Sequence, residues 1–188
     1  MNLQQAREFC AKAHGAQTYG SYPYSFHLAM VERVATSFGF ANDTSILKAI
    51  WGHDVLEDTA TTKEDLLAAG FSSYEVALIV AVTDGQEDTR QAKKLTVYGK
   101  ICQQPDSIII KLCDRIANLT MNMVEGNLKK YYRYRAEQAD FENRCKSCLA
   151  NDTRIRAMWR KVEYLLSDSG LNKLYHSSID DCFNCLDD

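Results

Sequence analysis

The sequence predicts an all-α protein, a single irregular helical bundle. Apolar residues recur mostly at three- and four-residue spacing, the period of a helix face. Only two prolines, Pro23 and Pro105, interrupt the 188 residues. The run Ile108-Ile109-Ile110 could pass for a strand, but no partner strand is evident. The length suits one domain with a sizeable core, and no repeat, low-complexity tract or linker divides it. Residues 1–170 are read as that domain, and 171–188, weakly periodic, as a loosely ordered C-terminal tail.

Leu3, Ala6, Phe9, Cys10 and Ala13 form the stripe of an opening helix. Gly15, Gly20 and Pro23 mark a loop before the stripe Phe26, Ala29, Met30, Val34 and Phe38. Asn42-Asp43 starts a third helix that buries Ile46, Leu47, Ile50 and Trp51. Thr62 followed by Asp65 reads as a capping pair with the shorter acid, and Gly70 closes that short helix. Ser72-Ser73 opens the next, through Val76, Ile79, Val80 and Val82. The polar stretch Asp84 to Gln91 is a loop, and helical patterning resumes from Ala92 to Cys102. Pro105-Asp106-Ser107 opens a helix through Ile108, Leu112, Ile116 and Leu119. Two more follow near Leu128 to Leu149 and Thr153 to Leu166.

The net charge of −3 provides no basic surface for tracking nucleic acid. The N-terminus lacks a signal layout, and the longest apolar stretches are far too short to span a bilayer. A soluble, cytoplasmic protein with neither membrane nor nucleic-acid partner is therefore expected; nothing signals an oligomeric state. Seven cysteines cannot all pair within one chain, and reduced thiols are the default. Cys145-Lys146-Ser147-Cys148 and Cys182-Phe183-Asn184-Cys185 have the spacing of a structural Zn²⁺ site. Because the first pair is read as lying inside a helix and the second near a polar terminus, zinc there is not expected. Tyr131 to Arg135 alternates aromatics with bases, but on a helix these fan around the axis and form no stacking platform.

The densest patch of chemistry is Trp51-Gly52-His53-Asp54-Val55-Leu56-Glu57-Asp58-Thr59. Read as a helix, it sets His53 above Glu57 and Asp54 above Asp58. An imidazole crowded by three carboxylates is unfavourable unless a cation offsets it. Most acidic clusters are merely solvated helix ends, but Ile50-Trp51 upstream and small Gly52 argue for a partly buried one. Further ligands must come from elsewhere. His27 lies between Phe26 and Leu28, and Asp114 sits inside an apolar helix, where an unpaired carboxylate is costly. Asn118 lies one turn beyond Asp114. Lys111 and Arg115 flank it and could meet phosphate.

In their order and spacing these residues match a family. The segments are Ala6-Arg7, Ala13-His14-Gly15-Ala16-Gln17, Pro23-Tyr24-Ser25-Phe26-His27, the His53 to Thr59 run, Val82-Thr83-Asp84, and Lys111 to Leu119. Over about two-thirds of its length the sequence resembles the HD-domain phosphohydrolases, specifically the RelA/SpoT-type small alarmone hydrolases. That resemblance implies one divalent ion per chain, usually Mn²⁺, held by His27, His53, Asp54 and Asp114. Mixed imidazole and carboxylate ligands also suit Fe²⁺ or Zn²⁺. It implies that Glu57 orients or deprotonates the attacking water and that Asp58 supports it. The implied reaction removes the 3′-pyrophosphate of (p)ppGpp, giving GDP or GTP and pyrophosphate. Arg90, Lys93, Lys94 and Lys100, with Tyr98 between them, resemble the family's phosphate-covering basic segment, although lysines by themselves more often form a solvated face. Asn118 matches the position that contacts the sugar.

The match departs at Thr18-Tyr19-Gly20-Ser21-Tyr22, where the family carries a basic stretch that holds the purine. Tyr19 or Tyr22 could stack on a base instead. The departure leaves open the same chemistry on another nucleotide, such as (p)ppApp or the 2′-phosphate of NADPH. A non-catalytic nucleotide-binding module is the remaining alternative, disfavoured by the intact acidic and histidine set. No room remains for a synthetase domain.

Overall fold

The protein is described here by a computed structural model covering residues 1–175. Helix α1 (Leu3–His14) starts from Asn2, whose side chain caps the Gln5 N–H while Gln5 returns a bond to the Asn2 N–H. Strands β1 (Thr18–Tyr19) and β2 (Tyr22–Pro23) pair antiparallel, with Thr18 opposite Pro23 and Tyr19 opposite Tyr22. The turn between them uses Gly20 at φ +60, and a Cβ there would run into the Glu125 carboxylate. This hairpin occupies what the sequence presents as plain loop. Helix α2 (Tyr24–Ala35) follows directly and passes into a π-helical turn (Thr36–Phe40).

Asp43 caps α3 (Thr44–Gly52) through the Ile46 N–H. Here the structure corrects the sequence reading: α3 stops at Gly52, and a separate short helix α4 (Val55–Asp58) begins after Asp54. His53 to Asp58 is therefore not one continuous helix. The expected Thr62 and Asp65 capping box opens α5 (Lys63–Ala69), which Gly70 closes in the left-handed conformation. A second capping box, Ser72 with Glu75, opens α6 (Ser73–Val82).

Helices α7 (Arg90–Gln103), α8 (Ser107–Val124), α9 (Leu128–Cys145) and α10 (Thr153–Leu165) complete the bundle, and α11 (Asp168–Tyr175) follows. Helix α8 is the spine, packed by α2, α3, α6, α9, α10 and α11. Ile108, Ile110, Leu112 and Ile116 are wholly buried on it, each contributing roughly 1.5–3 kcal/mol of burial. The Ile108-Ile109-Ile110 run is thus helix, packed by several neighbouring helices. Helix α9 ends at Cys145, leaving Cys148 in the following turn, and α11 runs to Tyr175. Cys182 and Cys185 lie outside the described residues. Among the described residues no helix is long and apolar enough to cross a membrane.

Candidate metal centre and active site

Three helices bring their side chains to one buried point. His27 is the fourth residue of α2 and only 1% exposed. Its Nε2 lies 3.5 Å from Asp54 Oδ2 and 3.4 Å from Asp114 Oδ1. Its ring is held by stacking under Tyr19, at 4.6 Å and 21°, while its Nδ1 has no hydrogen-bond partner.

His53 sits at the end of α3, with Nδ1 2.6 Å from the Ile50 carbonyl. A carbonyl only accepts, so Nδ1 carries a hydrogen and Nε2 is the nitrogen turned to the site. That Nε2 is buried and makes no hydrogen bond; it faces Asp54 Oδ2 at 3.0 Å and Asp114 Oδ1 at 3.7 Å. Tyr24 donates its hydroxyl to Asp54 Oδ2 at 2.5 Å. Asp114, on the spine helix, accepts from the Asn118 amide and has Lys111 Nζ 3.4 Å from its other oxygen.

One ligand atom each from His27, His53 and Asp114 falls within 4.8 Å of the others, and Asp54 joins them through Oδ2. An unpartnered, buried imidazole nitrogen facing one buried and one half-buried carboxylate is a donor set of the kind a divalent cation takes. The electrostatics agree. Burial alone would raise the Asp54 carboxyl, but the positive charge of His53 and the interaction with His27 hold it well below the usual range. Burial likewise opposes a charged His53, and the attraction of Asp54 and Asp114 raises it well above its ordinary value. The pocket favours positive charge at its centre, and a metal ion would compete with the proton for that place.

The two acids that follow diverge. Glu57 accepts from the Asp84 N–H, and burial lifts its carboxyl above the ordinary range even though that bond works downward. Asp58 accepts from Gln17 Nε2 at 2.9 Å; Gln17 Oε1 meets His14 Nδ1 at 2.8 Å, and His14 stacks on Tyr24. Glu57 and Asp58 line an open recess of about 310 Å³ with Thr83, Asp84 and Lys93.

No family model matches the chain. Human guanosine-3′,5′-bis(diphosphate) 3′-pyrophosphohydrolase MESH1 is 30% identical over 121 residues, which cover 62% of this chain and 67% of that protein. The chain belongs to the MESH1-type small alarmone hydrolases. The Aquifex aeolicus guanosine-3′,5′-bis(diphosphate) 3′-pyrophosphohydrolase is 30% identical over 122 residues, 62% of this chain but only 17% of that longer protein. A solved structure, described as a metazoan ortholog of SpoT that hydrolyzes ppGpp, superposes with a TM-score of 0.67 at 21% identity, covering 90% of this chain and 96% of that one. The all-α HD fold is thereby shared.

Around the cluster of this alarmone hydrolase family member, the remaining expected residues divide. Tyr19 lies over His27 and donates to Asn118 Oδ1 at 2.8 Å, whereas Tyr22 stacks on Phe26 instead. Lys94 reaches Asp84 at 3.1 Å and Lys100 donates to the Thr83 carbonyl, so α7 lays its amines along the loop that borders the recess. Burial opposes the charge on Lys111, but Asp114 and the other acids nearby keep its amine protonated.

Three expected phosphate contacts are not brought to the cluster. Arg90 makes a two-point pair with Glu137 on α9. Tyr98 is 2% exposed and packs on Phe141. Arg115 donates to Gln138 and the Tyr134 carbonyl and lies over the Tyr134 and Phe141 rings. One residue beyond Asp114 on a helix, it points about 100° away around the axis. Sequence reasoning missed Tyr24, although its place three residues before His27 sets it on the same helix face. Gln17 and Asp84 stood within the matched segments without a role.

Proposed function

We propose that this chain hydrolyses the 3′-pyrophosphate of (p)ppGpp with one Mn²⁺ held by His27, His53, Asp54 and Asp114, releasing pyrophosphate and GDP or GTP. Residues 1–170 would form the hydrolase domain of a soluble, cytoplasmic enzyme. The observation that carries the reading is the meeting of two imidazole Nε2 atoms with Asp54 and Asp114 at a buried point, one turn before Glu57 and Asp58. A divalent ion held by these four residues would lower the pKa of water towards neutrality and polarise phosphoryl oxygen.

The chain's own groups do the rest. Glu57, whose carboxyl is shifted upward and which accepts from the Asp84 N–H, would take the proton of the attacking water. Asp58, held through Gln17, supports the same water from the side of α1. Lys93, Lys94, Lys100 and Lys111 supply the positive charge that a pyrophosphate requires. Asn118 meets the sugar, and Tyr19 offers its ring to the base.

One observation favours a second reading of the substrate. No arginine or lysine lies between Lys12 and Arg33, so base recognition by the hairpin rests on aromatic rings, which stack on adenine as readily as on guanine. The same chemistry on (p)ppApp or on the 2′-phosphate of NADPH follows from it. Incubating the purified chain and Mn²⁺ with ppGpp, pppGpp, ppApp and NADPH separates the readings. GDP, GTP and pyrophosphate support the first. Turnover of another nucleotide alone overturns its substrate, and turnover of none, with Asp54→Ala indistinguishable from the natural chain, favours a binding module.

A further inference from the structure

A cluster of thiols lies outside the hydrolytic site, where the end of α7 packs on the end of α9. Cys102 is exposed near the C-terminus of α7, and its Sγ donates to the Arg144 carbonyl at 3.2 Å. Cys145, the last residue of α9, is buried, with Sγ 4.0 Å from the carbonyl of Tyr98, one turn before Cys102. Cys148 is 7% exposed in the turn beyond, its N–H bonded to the Cys145 carbonyl at 2.9 Å. The contact of Cys102 Sγ with the Arg144 carbonyl sets it at the start of the turn that runs from Cys145 to Cys148. An exposed thiol is therefore backed by two sheltered ones, one at the end of α9 and one in the turn after it. The other described cysteines, Cys10 and Cys113, are buried on α1 and α8.

We propose that Cys102 and Cys148 form a peroxide-reactive dithiol that closes to a reversible intramolecular disulfide, stapling α7 to the turn after α9. Reactive cysteines inside cells are exposed and stand beside a resolving thiol, which is the arrangement here. Cys148 is chosen over Cys145 because it lies on a turn, where the backbone can adjust to disulfide geometry, while Cys145 is locked in a helix with no exposure. Burial also pushes the Cys148 thiol up to about 11, so at neutral pH it is poorly ionised and the exposed Cys102 meets peroxide first.

The chemistry balances. The Cys102 thiolate attacks one oxygen of hydrogen peroxide, the O–O bond breaks, and hydroxide leaves, giving a sulfenic acid. Cys148 sulfur then attacks the sulfenic sulfur, the S–O bond breaks, and the departing hydroxide takes the Cys148 proton as water. In sum, two thiols and one peroxide give one disulfide and two waters. Each sulfur is oxidised by one electron and the peroxide is reduced by two.

The test treats the full-length, reduced protein with a slight excess of hydrogen peroxide, traps free thiols and maps peptides. The expected product is a Cys102–Cys148 linked peptide lighter by two hydrogens, restored by dithiothreitol and absent from Cys102→Ser. Closing a loop of roughly 46 residues should also raise the melting temperature by on the order of 5–10 °C. The proposal is overturned if Cys102 advances to sulfinic acid without a link. It is overturned equally if the link joins Cys145 or if only Cys182 and Cys185 pair. Because the decisive map is made on the natural sequence, it stands even if a serine variant folds poorly.

Discussion

Tyr24→Phe tests whether Asp54 is a metal ligand without touching the ligand itself. The phenol donates to Asp54 Oδ2 at 2.5 Å, while the same ring stacks on His14 at 4.3 Å and meets His27 edge-on at 5.6 Å. Phenylalanine keeps both ring contacts and removes only the donor. A hydrogen bond to an ionised acceptor contributes about 1.5–3 kcal/mol, and loss of a partner that orients a metal ligand typically weakens binding by about 10–100-fold. The second range corresponds to about 1.4–2.7 kcal/mol at 1.4 kcal/mol per tenfold, so the two agree. The expected result is a Mn²⁺ dissociation constant raised by about 10–100-fold, read from the free-ion electron paramagnetic resonance signal during titration. Tyr22→Phe is the control, since Tyr22 stacks on Phe26 and does not touch the cluster. If Tyr24→Phe folds normally and binds Mn²⁺ within threefold of the natural chain, the assignment of Asp54 as a ligand supported by Tyr24 is wrong.

Glu57→Gln should cut turnover by about 10²–10⁴-fold while Mn²⁺ still binds; steady-state assays beside the same titration check it, and an active variant removes Glu57 as the base. Gly52→Ala puts a Cβ 2.5 Å from Ile79 Cδ1 and 3.2 Å from its Cγ1, with Ile79 fully buried, so denaturant unfolding should show a loss of about 1–3 kcal/mol. Glu75→Gln keeps the capping box, which accepts Gln, but leaves Lys48 buried beside only the Met1 carbonyl, at a cost of about 3 kcal/mol. Lys48, Ser72 and Ser45 hold the Glu75 carboxyl below its ordinary value although burial pushes it up. Its contribution is therefore full above the unfolded pKa of about 4.3, fades as pH falls through the lower folded value, and should vanish from the acid limb of the variant. Mn²⁺ at a hundred times its dissociation constant should add about 2.7 kcal/mol and raise the melting temperature by roughly 5–10 °C. A scan unchanged by metal would refute a preformed site.

The helices were readable where local chemistry marks them. Thr62 with Asp65 announces α5, and Ser72 marks the start of α6, because a cap is a contact between near neighbours. The four expected ligands were readable from the resemblance, which carries spatial information that spacing lacks. What failed depends on direction in space. Arg115 adjoins Asp114 in the chain, yet its donors go to α9. The hairpin at Thr18 to Pro23 is two residues per strand, too short for an alternating pattern to register. Tyr19 and Tyr22 face each other across it, but only the fold decides which ring covers His27.

The break between α3 and α4 explains why adjacent residues can serve one ion at all. In an unbroken helix, neighbouring side chains diverge by about 100°, which is what happens at Asp114 and Arg115. His53 and Asp54 escape this because the backbone departs from the regular helix at Asp54, at φ −102 and ψ −5. The interruption costs little in unmet polar groups. The Ile50 carbonyl receives both the N–H and the Nδ1 of His53, at 3.3 and 2.6 Å, and the Asp54 carbonyl receives the N–H groups of Glu57 and Asp58. The same bond that satisfies Ile50 frees His53 Nε2 for the site. The same turn that starts α4 points Asp54 back at His27 and sends Glu57 towards Asp84. The His-Asp pair is thus built by a helix that ends and another that begins, and a continuous helix through these residues would leave one of the two outside the centre.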